Sequence, residues 1–572
     1  MEYSAILHDM DKRFCYAIDK DLFVIRVQVK KDDIKEIILH YEDKYIPLEW
    51  KDTRKTIPMK KVATSQFHDY YEAQLQMHLI CLRYYFEFTD MQGEKVYYGN
   101  YEFSRECITN RDRMFDCPQN LREEEMFEVP EWAANKVVYQ IFPSRFAATE
   151  PVDKELWYKA PITPMDDLHG NLRGIIEHMD DIQNLGIDVL YMTPIFQSNS
   201  CHKYDTTDYY QIDPSFGTTE DLKELVQKAH ERGMKVVLDA VYNHTGREFF
   251  AFADILENGE KSKYRDWYFI DGFPLKSEWG EIPNFKCFGY YGGMPKLNLK
   301  NPEVEKYITD VACYWIKECD IDGWRLDVGD EISHFFWKNF RKAVKAVKKD
   351  MLIIGEIWHY AGDFLEGDEW DTVMNYPFYL NLIDLLADEK ITVSQFVQNL
   401  GYLKGRLHKN CYPLMWNLID SHDTARFLHL CNDNKKKQHL AAAFQLLLPG
   451  MPMIYYGDEY AMPGANDPDC RRGMYWDEEY QDKEMYEWYK RLIQVRKSHA
   501  CIVEGELAGS VTEDEEGTIV LIRKNGEETI AMIFNCSSSA KKFNEYTQKY
   551  NLLTENTFDG NVEGFDAAVI VL

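Results

Sequence analysis

Three acidic residues each stand just past an apolar run. Asp327 ends Asp322-Gly323-Trp324-Arg325-Leu326-Asp327-Val328, Glu356 follows Leu352-Ile353-Ile354-Gly355, and Asp423 follows Leu414-Met415-Trp416-Asn417-Leu418 across the turn Ser421-His422. Arg325 and Asp327 are two residues apart, so in a strand they share a face. A guanidinium beside a carboxylate lowers its pKa and keeps it ionised, as a nucleophile requires. Read alone, the same run also fits a structural ion pair. Glu356 is flanked by Ile357 and Trp358. That partly desolvated setting suits a carboxyl that keeps its proton near neutral pH and can act as a general acid. Two carboxylates in unequal environments are the requirement for glycoside cleavage. Asp423 would grip sugar hydroxyls, and His244 and His422 would donate to them; either histidine alone would be read as a core residue.

Such chemistry needs a scaffold that brings distant strand ends together. From Trp132 onward, β-rich runs alternate with helical periods. The runs are Val137–Phe142, Val189–Met192, Lys235–Asp239, the Asp322 run, Leu352–Gly355, Thr372–Met374, Leu414–Leu418 and Met453–Tyr456. Eight such alternations predict a closed (β/α)8 barrel of the α/β class, with reactive groups at the C-terminal strand ends. An open doubly wound sheet would want a Gly-rich phosphate turn after its first strand, and none follows Phe142. Helices are predicted over 172–185, ending at Gly186, and over 221–232, with Thr218 and Asp221 spaced as a capping box and Gly233 as the stop. Residues 245–300, rich in Gly, Pro and aromatics, read as a lobe inserted after the third strand.

The flanks are different. Residues 1–122 carry alternating runs such as Phe23–Val29 and Tyr84–Phe88 separated by turn signals, which predicts a β-sandwich. The barrel with its lobe is expected over 123–503, and a second β-sandwich over 504–572. The net charge of −30, with no basic block, argues against nucleic acid or an anionic membrane as partner. The 13 cysteines are odd in number and lack Cys-x-x-Cys spacing, which fits reduced thiols in a cytoplasm. The N-terminus has no basic segment followed by an apolar run, and the stretch from Leu440 to Tyr456 is too interrupted to span a bilayer.

Four stretches together resemble the signature regions of the alpha-amylase family of retaining glycoside hydrolases: Asp239–His244, Gly323–Asp327, Gly355–Trp358 and Ser421–Thr424, in the family's order and spacing. The resemblance implies Asp327 as nucleophile, Glu356 as acid/base and Asp423 as transition-state stabiliser. It implies Arg325, His244 and His422 as contacts to the sugar or nucleophile, with Trp358 beside the acid. His202-Lys203-Tyr204-Asp205 is similar to the family's loop in which a tyrosine, here Tyr204, stacks on the sugar being cleaved. Asp467-Pro468-Asp469-Cys470-Arg471 is similar to the loop that holds the neighbouring sugar, through Asp467 and Arg471. Met294-Pro295-Lys296-Leu297-Asn298 and Met374–Phe378, with a β domain ahead of the barrel, resemble the neopullulanase, cyclomaltodextrinase and maltogenic amylase group. That implies cleavage of α-1,4 links in cyclodextrins, maltooligosaccharides and pullulan, with maltose and glucose as main products. It also implies a homodimer through the N-terminal domain.

The chain departs from the group at several places. Gly329-Asp330 replaces the usual Ala-Asn before Glu331, which lies where acceptor sugars are handled. Asp420 and Ala425 replace Gly and Glu around the fourth region. The group's calcium loop after Arg145-Phe146 is here Ala147-Ala148-Thr149-Glu150, and Asn171 replaces an Asp. Calcium takes six to eight oxygens, so no tight calcium is expected there and no cofactor is required; Asn243 stands at the family's other calcium position. Competing readings are a non-catalytic glucan-binding scaffold and a sibling α-1,6-glucosidase or glucanotransferase.

Overall fold

The computed structural model describes residues 1–76, 79–118, 126–278 and 280–572. The expected boundary at 122/123 lies outside the described residues. The chain forms two compact units: Met1–Val129 with Ala361–Glu369 and Ser394–Tyr412, and Pro130–Tyr360 with Trp370–Val393 and Pro413–Leu572.

The first unit contains two antiparallel sheets. One runs in the order Cys15–Ala17, Leu22–Lys30, His68–Gln76, Lys60–Thr64; the other runs Lys55–Pro58, Ile34–Asp43, Cys81–Asp90, Lys95–Tyr98, Phe103–Ser104, with Phe115–Pro118 also paired to Cys81–Asp90. Alternate residues Ile25, Val27 and Val29 from one sheet and Ile37, Leu39, Phe86 and Phe88 from the other fill a common core. That is the sandwich the alternation predicts. Two excursions from later in the chain belong to this unit, which periodicity does not reveal. The Arg26 guanidinium, ion-paired to Glu72 at 2.5 Å, donates to Gly405 O at 2.8 Å.

The second unit holds the barrel. Its strands are β1 Val138–Ile141, β2 Val189–Met192, β3 Lys235–Ala240, β4 Gly323–Leu326, β5 Leu352–Gly355, β6 Thr372–Val373, β7 Trp416–Asn417 and β8 Met451–Tyr455. They pair in parallel in the order β6-β5-β4-β3-β2-β1-β8-β7, and a parallel bridge from Met374 to Trp416 closes the ring. All eight runs are therefore strands, with ends that differ from the runs by at most two residues. Buried on both faces, they read as near-continuous apolar runs. The helix expected over 172–185 is two helices, Leu172–Glu177 and Met179–Leu185, broken at His178. Thr219–Glu231 forms with the Thr218–Asp221 capping box in place, and Gly233 takes φ +75° at its end. The lobe after β3 is folded back by isolated antiparallel bridges, Tyr268 to Leu297 and Cys287 to Pro295. After residue 505 a six-stranded antiparallel sheet and a two-stranded ribbon enclose Val520, Ala531, Ile533, Phe543 and Ile570.

Candidate active site

The β3–β4 register sets Asp239 opposite Arg325, and the β4–β5 register sets Leu326 opposite Gly355, so Asp327 and Glu356 emerge side by side at the C-terminal mouth. Trp324 and Leu326 point outward; Trp324 meets the rings of Phe196 and Tyr242. Arg325, fully buried, points inward and gathers the carboxylates. Its Nη1 donates to Asp239 Oδ2 at 3.0 Å and to Asp327 Oδ1 at 2.9 Å. Its Nη2 lies 2.9 Å from Glu356 Oε2 and 3.9 Å from Asp423 Oδ2. Asp327 Oδ2 is buried and has no hydrogen-bond partner among the described residues.

One guanidinium thus faces four carboxylates, and not all can ionise together. Burial, then the charge of Glu356, pushes the Asp327 carboxyl well above the usual range, and Arg325 does not offset this. Burial likewise lifts Asp239 to about 6 against the pull of Arg325, and raises Asp423. The lowering expected for Asp327 from Arg325 alone therefore fails, because burial, and then the charges of Glu356, Asp239 and Asp423, outweigh that cation.

The remaining contacts fix orientation. Glu356 Oε2 accepts from Val328 N at 2.9 Å, whereas among the described residues Oε1 receives only the Trp358 indole at 3.2 Å. Oε2 is the anchored oxygen, which leaves Oε1 as the one able to carry a proton outward. Trp358 stacks on Tyr376 with ring centroids 3.8 Å apart. Val328 reaches Glu356 from a left-handed conformation, φ +47°, strained for a β-branched residue. Behind both loops stands Trp370. A Cβ on Gly329 would lie 2.8 Å from its ring, and one on Gly355 2.2 Å.

Gln140 Nε2 donates to His422 Nδ1 at 2.7 Å, so Nε2 carries the proton; it faces Asp423 Oδ2 at 3.1 Å and the Tyr204 hydroxyl. Tyr204 in turn donates to Asp239 Oδ2 at 3.0 Å, beside Tyr191 at 2.7 Å. Burial pushes the His422 imidazole well below its ordinary pKa, with Arg471 and Arg325 adding to the effect, so it is a neutral donor. Burial holds His244 at about 3, and its Nε2 donates to Tyr204 O at 3.1 Å. Arg471 lies 3.4 Å from Asp423 and 2.7 Å from Asp467, and donates to His422 O. Asp327, Glu356, Asp423, Tyr204, His244, Arg325, His422, Trp358, Asp467 and Arg471 thus form one connected group. Glu331 faces Lys296 instead.

Sequence reasoning passed over Gln140, Tyr191 and Tyr376. Gln140 had a readable signal, a lone amide inside the apolar run Val137–Phe142; Tyr191 and Tyr376 look like ordinary strand and helix residues.

The donor sets for calcium fail on inspection. Asn171 caps the helix it precedes, accepting from Gly174 N, and its amide donates to Thr149 and His169 O. Asn243 Oδ1 accepts from the Lys296 ammonium. No cluster of three or more His, Cys, Asp or Glu able to hold a metal exists among the described residues.

A closed parallel barrel whose mouth gathers carboxylates on an arginine defines the class: a barrel enzyme whose chemistry is run by carboxylates. Comparison with known proteins makes it specific. The alpha amylase catalytic domain matches residues 140–480, and the alpha amylase N-terminal ig-like domain matches residues 1–119. A cyclomaltodextrinase from Geobacillus thermopakistaniensis is 43% identical over 547 residues, 94% of this chain and 92% of the relative. An intracellular maltogenic amylase from Bacillus subtilis is 38% identical over 543 residues, 94% of this chain and 91% of the relative. A solved cyclomaltodextrinase superposes with a TM-score of 0.94 at 37% identity, covering 100% of both chains. The chain belongs to the alpha-amylase family of glycosidases.

Proposed function

We propose that the enzyme hydrolyses α-1,4-glucosidic bonds of cyclodextrins and maltooligosaccharides, and of pullulan, with retention, giving mainly maltose and glucose. The observation that carries this reading is the buried Asp327 Oδ2, without a hydrogen-bond partner among the described residues and one guanidinium away from Glu356. Asp327 Oδ2 attacks C1 while Glu356 Oε1 delivers its proton to the leaving oxygen. The same carboxyl then takes a proton from the water that releases the covalent intermediate. Asp423 and the neutral His422 hold ring hydroxyls, which they grip harder as the ring flattens. Tyr204 stacks on the sugar being cleaved, and Arg471 with Asp467 holds its neighbour. Glu331 handles acceptor sugars, and Trp358 offers a flat face beside the acid. The names of the relatives support the substrate class.

The proposal includes a homodimer through the N-terminal domain, which exposes Tyr45, Trp50, Phe67 and Tyr101. It includes a cytoplasmic location, supported by the scattered cysteines, which lack Cys-x-x-Cys spacing, and by the name of the Bacillus relative. No helix among the described residues is long and apolar enough to cross a membrane.

The test is initial rates on β-cyclodextrin, maltotriose, pullulan and soluble starch, with chromatography of the products. Cyclodextrin well ahead of starch, with maltose dominant, is expected. Equal rates on starch would refute the narrow substrate class, and products of α-1,6 cleavage alone would favour the sibling activity. Folded Asp327→Asn and Glu356→Gln that both keep wild-type turnover would overturn the assigned roles.

A further inference from the structure

The run Met294–Asn298 is zipped to the exit of β3. Thr245 N donates to Pro295 O at 3.1 Å and Leu297 N to Asn243 O at 3.0 Å, across an antiparallel bridge from His244 to Lys296. From this bridge the Lys296 side chain turns into an oxygen cage. Its ammonium donates to Asn243 Oδ1, to Glu331 Oε2 at 3.1 Å and to Glu331 O at 3.3 Å. Asn243 is fully buried and lies on the loop after β3, whereas Glu331 lies on the loop after β4. One amide, one carboxylate and one peptide oxygen from two loops are the hard donors a calcium ion would take. An ammonium has three N–H groups, and here it meets three oxygens. The positive charge that joins the loops is therefore carried on the chain itself.

We propose that the Lys296 ammonium is a built-in replacement for a divalent cation at the junction of lobe and barrel, and that it positions Glu331. The second half rests on the acceptor role given to Glu331 above. The junction matters to the site because His244, next to Asn243, holds the Tyr204 backbone. The arrangement makes this junction indifferent to metal. It also makes a reversal possible: Lys296→Asp removes the cation and adds a carboxylate to the cage, which should then admit calcium.

The test compares wild type, Lys296→Arg, Lys296→Met and Lys296→Asp by melting temperature in EDTA and in millimolar calcium chloride, with calcium titration calorimetry. Wild type is expected to melt alike in both. Lys296→Met should melt lower in both by at least about 3 °C, and Lys296→Arg should recover part of that loss. Lys296→Asp should melt low in EDTA, regain at least half of the loss in calcium, and bind about one ion per chain. The replacement is overturned by a wild type that needs calcium to reach its full melting temperature, by Lys296→Met melting like wild type, or by a folded Lys296→Asp indifferent to calcium. If Lys296→Asp does not fold, the wild-type and Lys296→Met comparison decides.

Positioning is read separately, as the ratio of transfer to hydrolysis from maltotriose with added glucose. Glu331→Gln and Lys296→Met should change it in the same direction, with Lys296→Arg closer to wild type. A changed ratio in Glu331→Gln alone overturns positioning by Lys296. No change in Glu331→Gln removes the acceptor reading and leaves the melting data to judge the cation.

Discussion

Asp322 and Asp327 lie five residues apart at opposite ends of the same strand, and their surroundings are inverted. Asp322, at the N-terminal end, faces two lysines, Lys235 and Lys348, each at 3.0 Å, with the His230 imidazole at 2.7 Å and Val236 N donating at 2.9 Å. Burial works against its ionisation, yet the His230 hydrogen bond and Lys348 outweigh it and hold the carboxyl at about 2. Asp371, before β6, is treated the same way by Arg341 at 2.6 Å and Lys345 at 3.0 Å. At the C-terminal mouth, Asp239, Asp327, Glu356 and Asp423 share Arg325. One end of the barrel has more cation than its carboxylates need and is built to hold. At the other, burial raises the carboxyls of Asp239, Asp327 and Asp423 around one shared guanidinium, with Asp327 and Glu356 side by side on it.

The contrast can be broken most forcefully by removing the same charge at each end. Asp327→Asn is expected to lower kcat at least about 10³-fold while the fold survives, because the amide relieves like-charge repulsion; its melting temperature at neutral pH should equal or exceed that of wild type. Asp322→Asn should do the reverse. It should retain turnover per folded molecule and lose about 2–4 kcal/mol of stability, because two lysines are left facing a neutral group. Steady-state kinetics on maltotriose beside thermal or urea melts check both. If the two variants behaved alike, the distinction between the ends would be lost.

The pH dependence sharpens the comparison, since the two ends must slope in opposite directions. In the folded chain Asp239 titrates near 6 rather than 3.8, so the native state binds the extra proton between these values. Stability therefore falls as pH rises through that window, by at most about 3 kcal/mol. Asp239→Asn should cancel this fall, so the variant gains on wild type from pH 4 to 6 and holds a constant difference above. Asp322 sits near 2 instead of 3.8. Its contribution is complete above the unfolded value and is lost as pH falls toward 2, so the deficit of Asp322→Asn should shrink only in acid. Melts across the pH range, read as differences from wild type, decide both signs.

Two smaller changes probe how the mouth is held. Gly329→Ala brings a methyl to 2.8 Å from the Trp370 ring, a rigid neighbour. It should cost about 1–3 kcal/mol and lower kcat more than it raises KM, because Val328 and Asp327 move with the loop. Val328→Gly should relieve the left-handed strain and melt about 1–2 kcal/mol more stable, with slower turnover because Glu356 loses a fixed donor. An unchanged rate in Val328→Gly would show that this strain is not used.

The eight runs that spacing predicted are the eight barrel strands, and four of them deliver the expected residues to one mouth. The sandwich ahead of the barrel was legible from residues such as Val27 and Phe86, which alternate in and out. The excursions 361–369 and 394–412 were not legible, because neither a loop with one short turn at Gly362–Phe364 nor the helix Val393–Arg406 carries a periodicity that tells which domain it joins. Lys296 was visible only as part of a motif, and what its ammonium touches depends on two loops more than thirty residues apart.

The sequence by itself determined that the carboxylates at the strand ends meet at one mouth. Period and register are local properties, so Arg325 and Asp327 had to share a face, and the ends of parallel strands had to share a mouth. Only the tertiary structure decided the charge balance. Asp327 has a cation two residues away, which read locally predicts a lowered pKa. The fold brings three more carboxylates to that cation and takes water away from all of them. Coulomb interactions and desolvation are sums over everything within several ångströms, and those neighbours lie 29 to 96 residues from Asp327 in the chain.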